Sequence, residues 1–522
     1  MQRLRCGDKF ATMAPTTTLI TTSLLIVVTY QFLHAIYNVY FHPLSRIPGP
    51  RSWAASRIPF VRALLKGTIV HDFQKLHKQY GPVLRIAPDE VTFADPDAYN
   101  DILQTRSGST PFLKDHIWWN RQPGQPESLL SAIDPDYHAR MRKALTPGFT
   151  PRALKAQEQF IHRYADLLVE RLREKAASSK AENGRVELDI WPWLNFTTFD
   201  IFGDLGFGES FNCLQDSKYH PWIALLFKSV EAATWVASAR FYPWLEWALM
   251  KCIPPSLKKM QKDHYQQIVD KVRRRLNYEM ERPDIMSSMI RKNDGENDGL
   301  ALPLDEINVT FMILVTAGSE TTATALGGIM NYLTQNPEVL ERVQDEVRQE
   351  FKQGGESEIS LDSLQSLRYL SAVITEGLRL CTPIPWVLPR RVPQGGGTVC
   401  GVRLPGGTPV SIQAYTINRD PKLWHRSESF LPERWLADAS NDLSSPFFSD
   451  ARHALQPFTV GPRNCLGQNL AWAEMRLILA KLLWNFEFTP HSDASKRLQW
   501  EDLRTFLLVE KKPIYVGLRL RQ

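Results

Sequence analysis

Cys465 stands in the run Phe458-Thr-Val-Gly-Pro-Arg-Asn-Cys-Leu-Gly467, between Gly461 and Gly467 and two residues after Arg463. A cysteine in such a loop suits a metal–thiolate bond. Only the thiolate is a ligand, so its charge must be stabilised. The apolar-rich run Gln468 to Phe486 follows at once. A helix starting at Leu466 or Gly467 would aim free N–H groups, and the positive end of its dipole, at the sulfur. Gly461 permits a tight turn, and Gly467 permits close approach of a flat group. Arg463 could meet an anionic substituent on that group. Taken alone, a cysteine in a turn before a helix is more often a buried structural residue.

Other polar residues stand where propensity does not favour them. The run Asp305 to Asn336 reads as the longest helix, with an apolar stripe through Ile307, Phe311, Leu314 and Val315 that Met312 and Ile313 extend round most of its circumference. Such a helix is buried on nearly every side. In its middle lie Ala317-Gly-Ser-Glu320-Thr321-Thr322, types that are locally unfavourable in a buried helix. A kink with a satisfied polar pair is one account. A groove over a ligand, with Glu320 and Thr321 managing protons, is the other. Glu376 and Arg379 stand three apart in a second amphipathic run and, alone, read as a surface ion pair worth little. His138 and Arg142 share one face of a basic helix.

The pattern Phe-x-x-Gly-x-Arg-x-Cys-x-Gly at 458–467 resembles the haem-binding signature of the cytochrome P-450 superfamily, with every signature position filled. Ala317 to Thr321 resembles the motif of its haem-covering helix. Glu376-x-x-Arg379 with Arg434 in Phe430-Leu-Pro-Glu-Arg-Trp435 resembles its buried Glu–Arg–Arg set. The resemblance implies a mainly α fold with small β-sheets and haem b ligated by Cys465. Phe458, Gly461 and Gly467 would shape the loop, and His138, Arg142, Arg391 and Arg463 would hold the propionates. Thr321 and Glu320 would serve oxygen and protons. Ala317, Trp118, Ile384 and Trp386 would line the substrate pocket. It further implies electrons from NADPH through a separate NADPH-cytochrome P-450 reductase, with cytochrome b5 as a second donor, and a hydrophobic small-molecule substrate. Arg140, Lys143 and Arg476 are the basic residues read as a docking patch. Phe41-His-Pro-Leu, His138-Ala-Arg and Asn195-Phe-Thr-Thr-Phe-Asp200 are similar to fungal microsomal members that oxidise terpenoids, polyketides or alkaloids. A haem-thiolate isomerase or dehydratase, and a non-catalytic haem binder, are the alternative readings.

Phe10 to Ser45 contains no Asp, Glu, Lys or Arg. Residues 18–40 are long enough for a membrane-spanning helix, and Tyr30, Tyr37 and Tyr40 suit an interfacial belt. A 1–45 anchor and a 46–522 catalytic domain are expected, joined by the proline-rich hinge Ile47 to Pro50. A single pass in the endoplasmic reticulum membrane, body cytosolic, follows from the resemblance. The net charge of +6 over 522 residues argues against obligatory nucleic-acid binding. Six scattered cysteines without a CxxC pair exclude a disulfide framework or zinc module. No GxGxxG, Walker loop or iron–sulfur cluster is present, so no built-in reductase is expected. Strands are expected at Pro82–Ala87 and Glu90–Phe93, a hairpin over Gly395–Gly407 and an exposed linker at Asn293–Gly299. Asn195 and Asn308 open glycosylation sequons.

Overall fold

The computed structural model describes residues 13–521 apart from 106, 107, 109, 120, 122, 123, 179–184, 279–281 and 291–301; the expected linker at 293–299 lies outside the described residues. Met13–Tyr40 is one helix. Its span Thr18–Tyr40 has mean hydropathy 1.7, and its most apolar window has no buried residue. Leu304–Gln335 passes the same length and hydropathy test, but 61% of its most apolar window is buried. It is the core helix of the body, one residue offset from the expected boundaries. The foot of the first helix is docked: Asn38 donates to the Ala55 carbonyl at 3.1 Å and Leu44 is buried.

The body is mainly helical, with small sheets at its edges. The largest sheet orders Val83–Ala87, Glu90–Phe93, Pro409–Ile412, Val387–Arg391 and Leu113–Lys114. Its second and third strands run parallel, and its other pairs are antiparallel. A three-stranded antiparallel sheet places the C-terminal strand Tyr515–Leu520 between Val186–Asp189 and Phe486–Pro490. The expected hairpin is Gly397–Val399 paired with Val402–Leu404.

The long helix lies against Trp191–Phe207, almost every residue of which is buried. That closeness needs Gly318, where a Cβ would sit 2.6 Å from the Phe202 ring. The glycine read as a groove over a ligand is therefore filled by a phenylalanine of the neighbouring helix. Both sequon asparagines are buried, Asn195 completely. Neither is accessible to glycosylation in the folded protein.

Candidate active site

The cysteine loop is built by backbone geometry. Thr459 and Gly461 both take left-handed conformations, φ 57° and 82°, which folds the loop so that the Cys465 N–H donates to the Phe458 carbonyl at 2.9 Å. Gly461 has a second reason to be glycine: a Cβ there would lie 2.3 Å from the Leu103 carbonyl oxygen. Gly467 is the N-cap of Gln468–Asn485, and a Cβ on it would meet nothing within 4 Å. Cys465 is solvent-accessible although protein surrounds it on most sides, so it lies on the floor of a cleft. Burial pushes its thiol up, while the Gly467 N–H and the Arg142 charge favour the thiolate.

Beside this loop lies a cluster of cationic side chains. Pro135–Leu145 is capped by Asp134, whose carboxylate accepts from the Tyr137 N–H at 2.7 Å, and its buried His138 meets Arg463, Lys114, Arg142 and Arg390. Burial, then the repulsion of those four cations, holds His138 down at about 3. Burial followed by mutual repulsion likewise lowers Lys114 well below its ordinary value and Arg390 to about 9. Arg463 donates to the Ala132 and Ile133 carbonyls and Lys114 to the Leu130 carbonyl, all neutral acceptors. Concentrated buried positive charge is costly without an anion beside it.

Two expected propionate residues have protein partners of their own. Arg391 pairs with Asp115 at 2.8 Å and donates to the Gly407 carbonyl. Alternation along Val387–Arg391 turns its neighbour Arg390 toward the cluster instead. Arg142 donates to the Asn464 carbonyl and side-chain oxygen, both at 2.6 Å, and so clamps the cysteine loop itself. Lys114 was not legible in the sequence: a lone lysine in an irregular aromatic stretch carries no pattern. Arg390 could have been found from strand alternation.

Beyond its exposed first turn, the long helix is open in its middle. Ala317 is exposed and Thr321 half-buried, within a helix whose Ser319, Glu320 and Thr322 to Thr334 are, with few exceptions, buried. Ile313, Ala317 and Thr321 recur every four residues, so the opening is one face. Its hydroxyls are satisfied along the helix: Thr321 donates to the Ala317 carbonyl at 2.7 Å, Thr322 to Gly318 at 3.1 Å and Thr324 to Glu320 at 2.8 Å. Thr322 also meets Glu474 of Gln468–Asn485, a buried acid pushed well up by desolvation. Glu320 is buried and ion-paired with Lys511 from the loop after Val509, a partner 191 residues away that no local pattern announces.

Glu376, Arg379 and Arg434 come together with no exposure at all. Arg379 donates to Glu376 at 2.7 and 2.9 Å, Arg434 at 3.1 Å, and Leu431 N–H and Trp435 Nε1 each at 2.9 Å. The pair that reads as a surface contact is covered by the Phe430–Trp435 segment. Of the four expected pocket residues, Ala317 and Ile384 are exposed. Trp386 is packed in an aromatic cluster. It is 2% exposed, its ring edge-to-face with Phe60, Phe73 and Trp118 at 5.2–6.2 Å. Trp118 belongs to the same aromatic cluster and also meets Phe241.

The sequence model of the family described as Cytochrome P450 matches residues 48–517. The chain belongs to the cytochrome P450 family. It is 41% identical to averantin hydroxylase of Dothistroma septosporum over 491 residues, covering 93% of this chain and 88% of that protein. It is 39% identical to the cytochrome P450 monooxygenase astJ of Aspergillus oryzae over 487 residues, covering 93% and 94%, and 40% identical to the monooxygenase lcsI of Purpureocillium lilacinum over 497, covering 94% and 92%. The chain is accordingly a P450 monooxygenase of the haem-thiolate family, with an N-terminal apolar helix able to anchor it in a membrane. The residues fit haem: an accessible thiol on a cleft floor, an open glycine beside it, and buried cations suited to carboxylates at one edge.

Proposed function

We propose that this P450 is a membrane-anchored oxygenase of fungal secondary metabolism. It would hydroxylate or otherwise oxidise a hydrophobic terpenoid, polyketide or alkaloid with electrons from NADPH through a separate reductase. The observation that carries the reading is the accessible Cys465 in its clamped loop beside the cation cluster, in a chain whose similar proteins include a hydroxylase and monooxygenases.

Haem held by the cysteine thiolate would supply the activation of dioxygen and its insertion into C–H bonds. The protein's own residues do the rest. Cys465 would ligate the haem iron, its thiolate charge supported by the Gly467 N–H and by Arg142. Arg463, Arg390, Lys114 and His138 would hold the haem propionates. Ala317 leaves room on the open helix face, and Ile384 adds apolar surface for substrate. Thr321 Oγ1, donating its own proton to the Ala317 carbonyl, presents lone pairs to that face and steadies a water there. Glu320 supplies the protons.

Of the docking patch expected for the reductase, Arg140 is committed to Glu306, bonding both its oxygens at 2.8 Å. Lys143 remains exposed, and Arg476 lies over Trp472. Pro243–Cys252, with no buried residue, exposes Trp244 and Trp247. It follows Phe241, which packs on Phe60 and Arg57 just after the anchor. These rings therefore extend the membrane contact begun by the anchor, as expected for an endoplasmic reticulum enzyme whose body faces the cytosol.

The test is expression with a reductase, a reduced carbon-monoxide difference spectrum, and mass spectrometry over a panel of candidate metabolites. A thiolate-type Soret band and an NADPH-dependent product heavier by one oxygen are expected. Turnover that persists without NADPH would favour an isomerase or dehydratase, and absence of the band would overturn the reading.

A further inference from the structure

We propose that Lys511 is a positioning residue for Glu320, the solvent-side partner through which protons reach that carboxylate. The inference rests on the monooxygenase reading, in which Glu320 serves the open face of the long helix.

Glu320 is the more enclosed member of its ion pair. Glu320 is 3% exposed, whereas the Lys511 side chain keeps 21% of its surface. Lys511 Nζ is shared between Glu320 Oε2 and the buried Asn195 side-chain oxygen, the latter at 2.9 Å, and lies 6.0 Å over the Trp191 ring. Two helices, Trp191–Phe207 and Leu304–Gln335, are thus stitched to the C-terminal loop at one ammonium. The groups facing the carboxylate are Lys511 from that loop, Asn195 from the neighbouring helix and Tyr219, which in turn faces Asp189. Glu320 Oε1 has no hydrogen-bond partner among the described residues, which leaves that oxygen available to act.

The transfer balances without any redox partner. One proton passes from Nζ to Oε2, breaking an N–H bond and forming an O–H bond. A neutral amine and a neutral acid result. The acid releases its proton toward the Thr321 side, and the amine takes a replacement from solvent water. Burial makes the exchange cheaper, because it disfavours both charges: it raises the carboxyl and lowers the ammonium. Salt-bridge geometry of this kind could also be purely structural, holding the C-terminal loop in place. The two roles separate experimentally.

The test uses the full-length holoenzyme with reductase and the variants Lys511→Met, Lys511→Arg and, as a neighbouring control, Lys512→Met. Three readouts are taken: the carbon-monoxide difference spectrum, hydrogen peroxide released per NADPH, and the infrared carbonyl band of a protonated carboxylic acid, assigned by its loss in Glu320→Gln. For Lys511→Met the thiolate spectrum should persist, peroxide should rise severalfold, and the band should grow at neutral pH because desolvation is no longer offset. Lys511→Arg, whose guanidinium keeps its proton, should hold the carboxylate ionised yet leave peroxide release raised, whereas a purely structural role would let it restore both, and Lys512→Met should match the native enzyme. Lys511→Met with native peroxide release and no new band would overturn the proposal. Should Lys511→Met fail to retain haem, Lys511→Gln decides by the same two readouts. A native enzyme without a thiolate spectrum would defeat the monooxygenase reading instead, and the infrared comparison would still report on the Lys511–Glu320 pair.

Discussion

At the scale of single residues, the chemistry hangs on Cys465 and the charges beside it. Cys465→Ala should abolish the thiolate-type Soret band while leaving the far-ultraviolet circular dichroism unchanged, since the side chain is solvent-exposed. The arginine pair offers a sharper discrimination. A hydrogen bond to a charged group is worth about 1.5–3 kcal/mol. Arg390→Ala should therefore speed haem transfer to apomyoglobin by roughly one to two orders of magnitude, and Arg391→Ala, which loses Asp115 instead, should change it little. His138 carries a pH signature. Its folded-state value, about 3, lies below its ordinary 6.5, so the unfolded chain binds the proton more readily. The stability it contributes is complete above about pH 6.5 and is lost as pH falls below that value. Propionates would offset part of the cationic repulsion. Acidification to about pH 5 should therefore lower the urea midpoint more in haem-free than in haem-loaded protein, and His138→Gln should flatten the difference.

At the scale of elements, Glu376 is the junction. Five donors from one helix and one loop converge on its two oxygens, and Arg379 goes on to the Asn418, Ser427 and Ser429 carbonyls. Such a set costs desolvation, so its role is to fix the loop against the helix. Glu376→Gln leaves the buried Arg379 guanidinium without a carboxylate and Arg434 with Asp450 alone, and should cost about 3–5 kcal/mol, read as a lower urea midpoint and poor haem incorporation. The Glu-x-x-Arg spacing was legible along the chain. The Trp435 donor and the Asp450 partner of Arg434 were not, because nothing local distinguishes them from surface residues. The long helix shows the same division. Its length and its polar centre could be read from hydropathy, while the occupant of Gly318's space was decided by Phe202 on another helix.

At the scale of the whole molecule, anchor, aromatic cluster and Trp244/Trp247 surface lie along one line of contacts through Arg57, Phe60 and Phe241. Deleting residues 1–45 should not release the protein wholly from vesicles. Adding Trp244→Ala and Trp247→Ala to that truncation should, because each exposed ring loses apolar burial worth about 1.5–3 kcal/mol. Cosedimentation with phospholipid vesicles checks this, and full release by truncation alone would remove these rings from the membrane contact.

What the sequence determined by itself is what periodicity and fixed spacing encode. The cysteine loop, the long buried helix, the apolar first helix and the paired Glu376 and Arg379 all express local rules, of turn geometry, helix period or hydropathy, that act within a few residues. What tertiary structure decided is which distant charges meet. Whether Arg390 or Arg391 faces the cluster follows from the register of Val387–Arg391 against Pro409–Ile412. Trp386 is core because Phe60 and Phe73 close on it, and Glu320 is governed by a lysine near the other end of the chain. Burial and electrostatic partnership are properties of packing between elements, and no local pattern carries them.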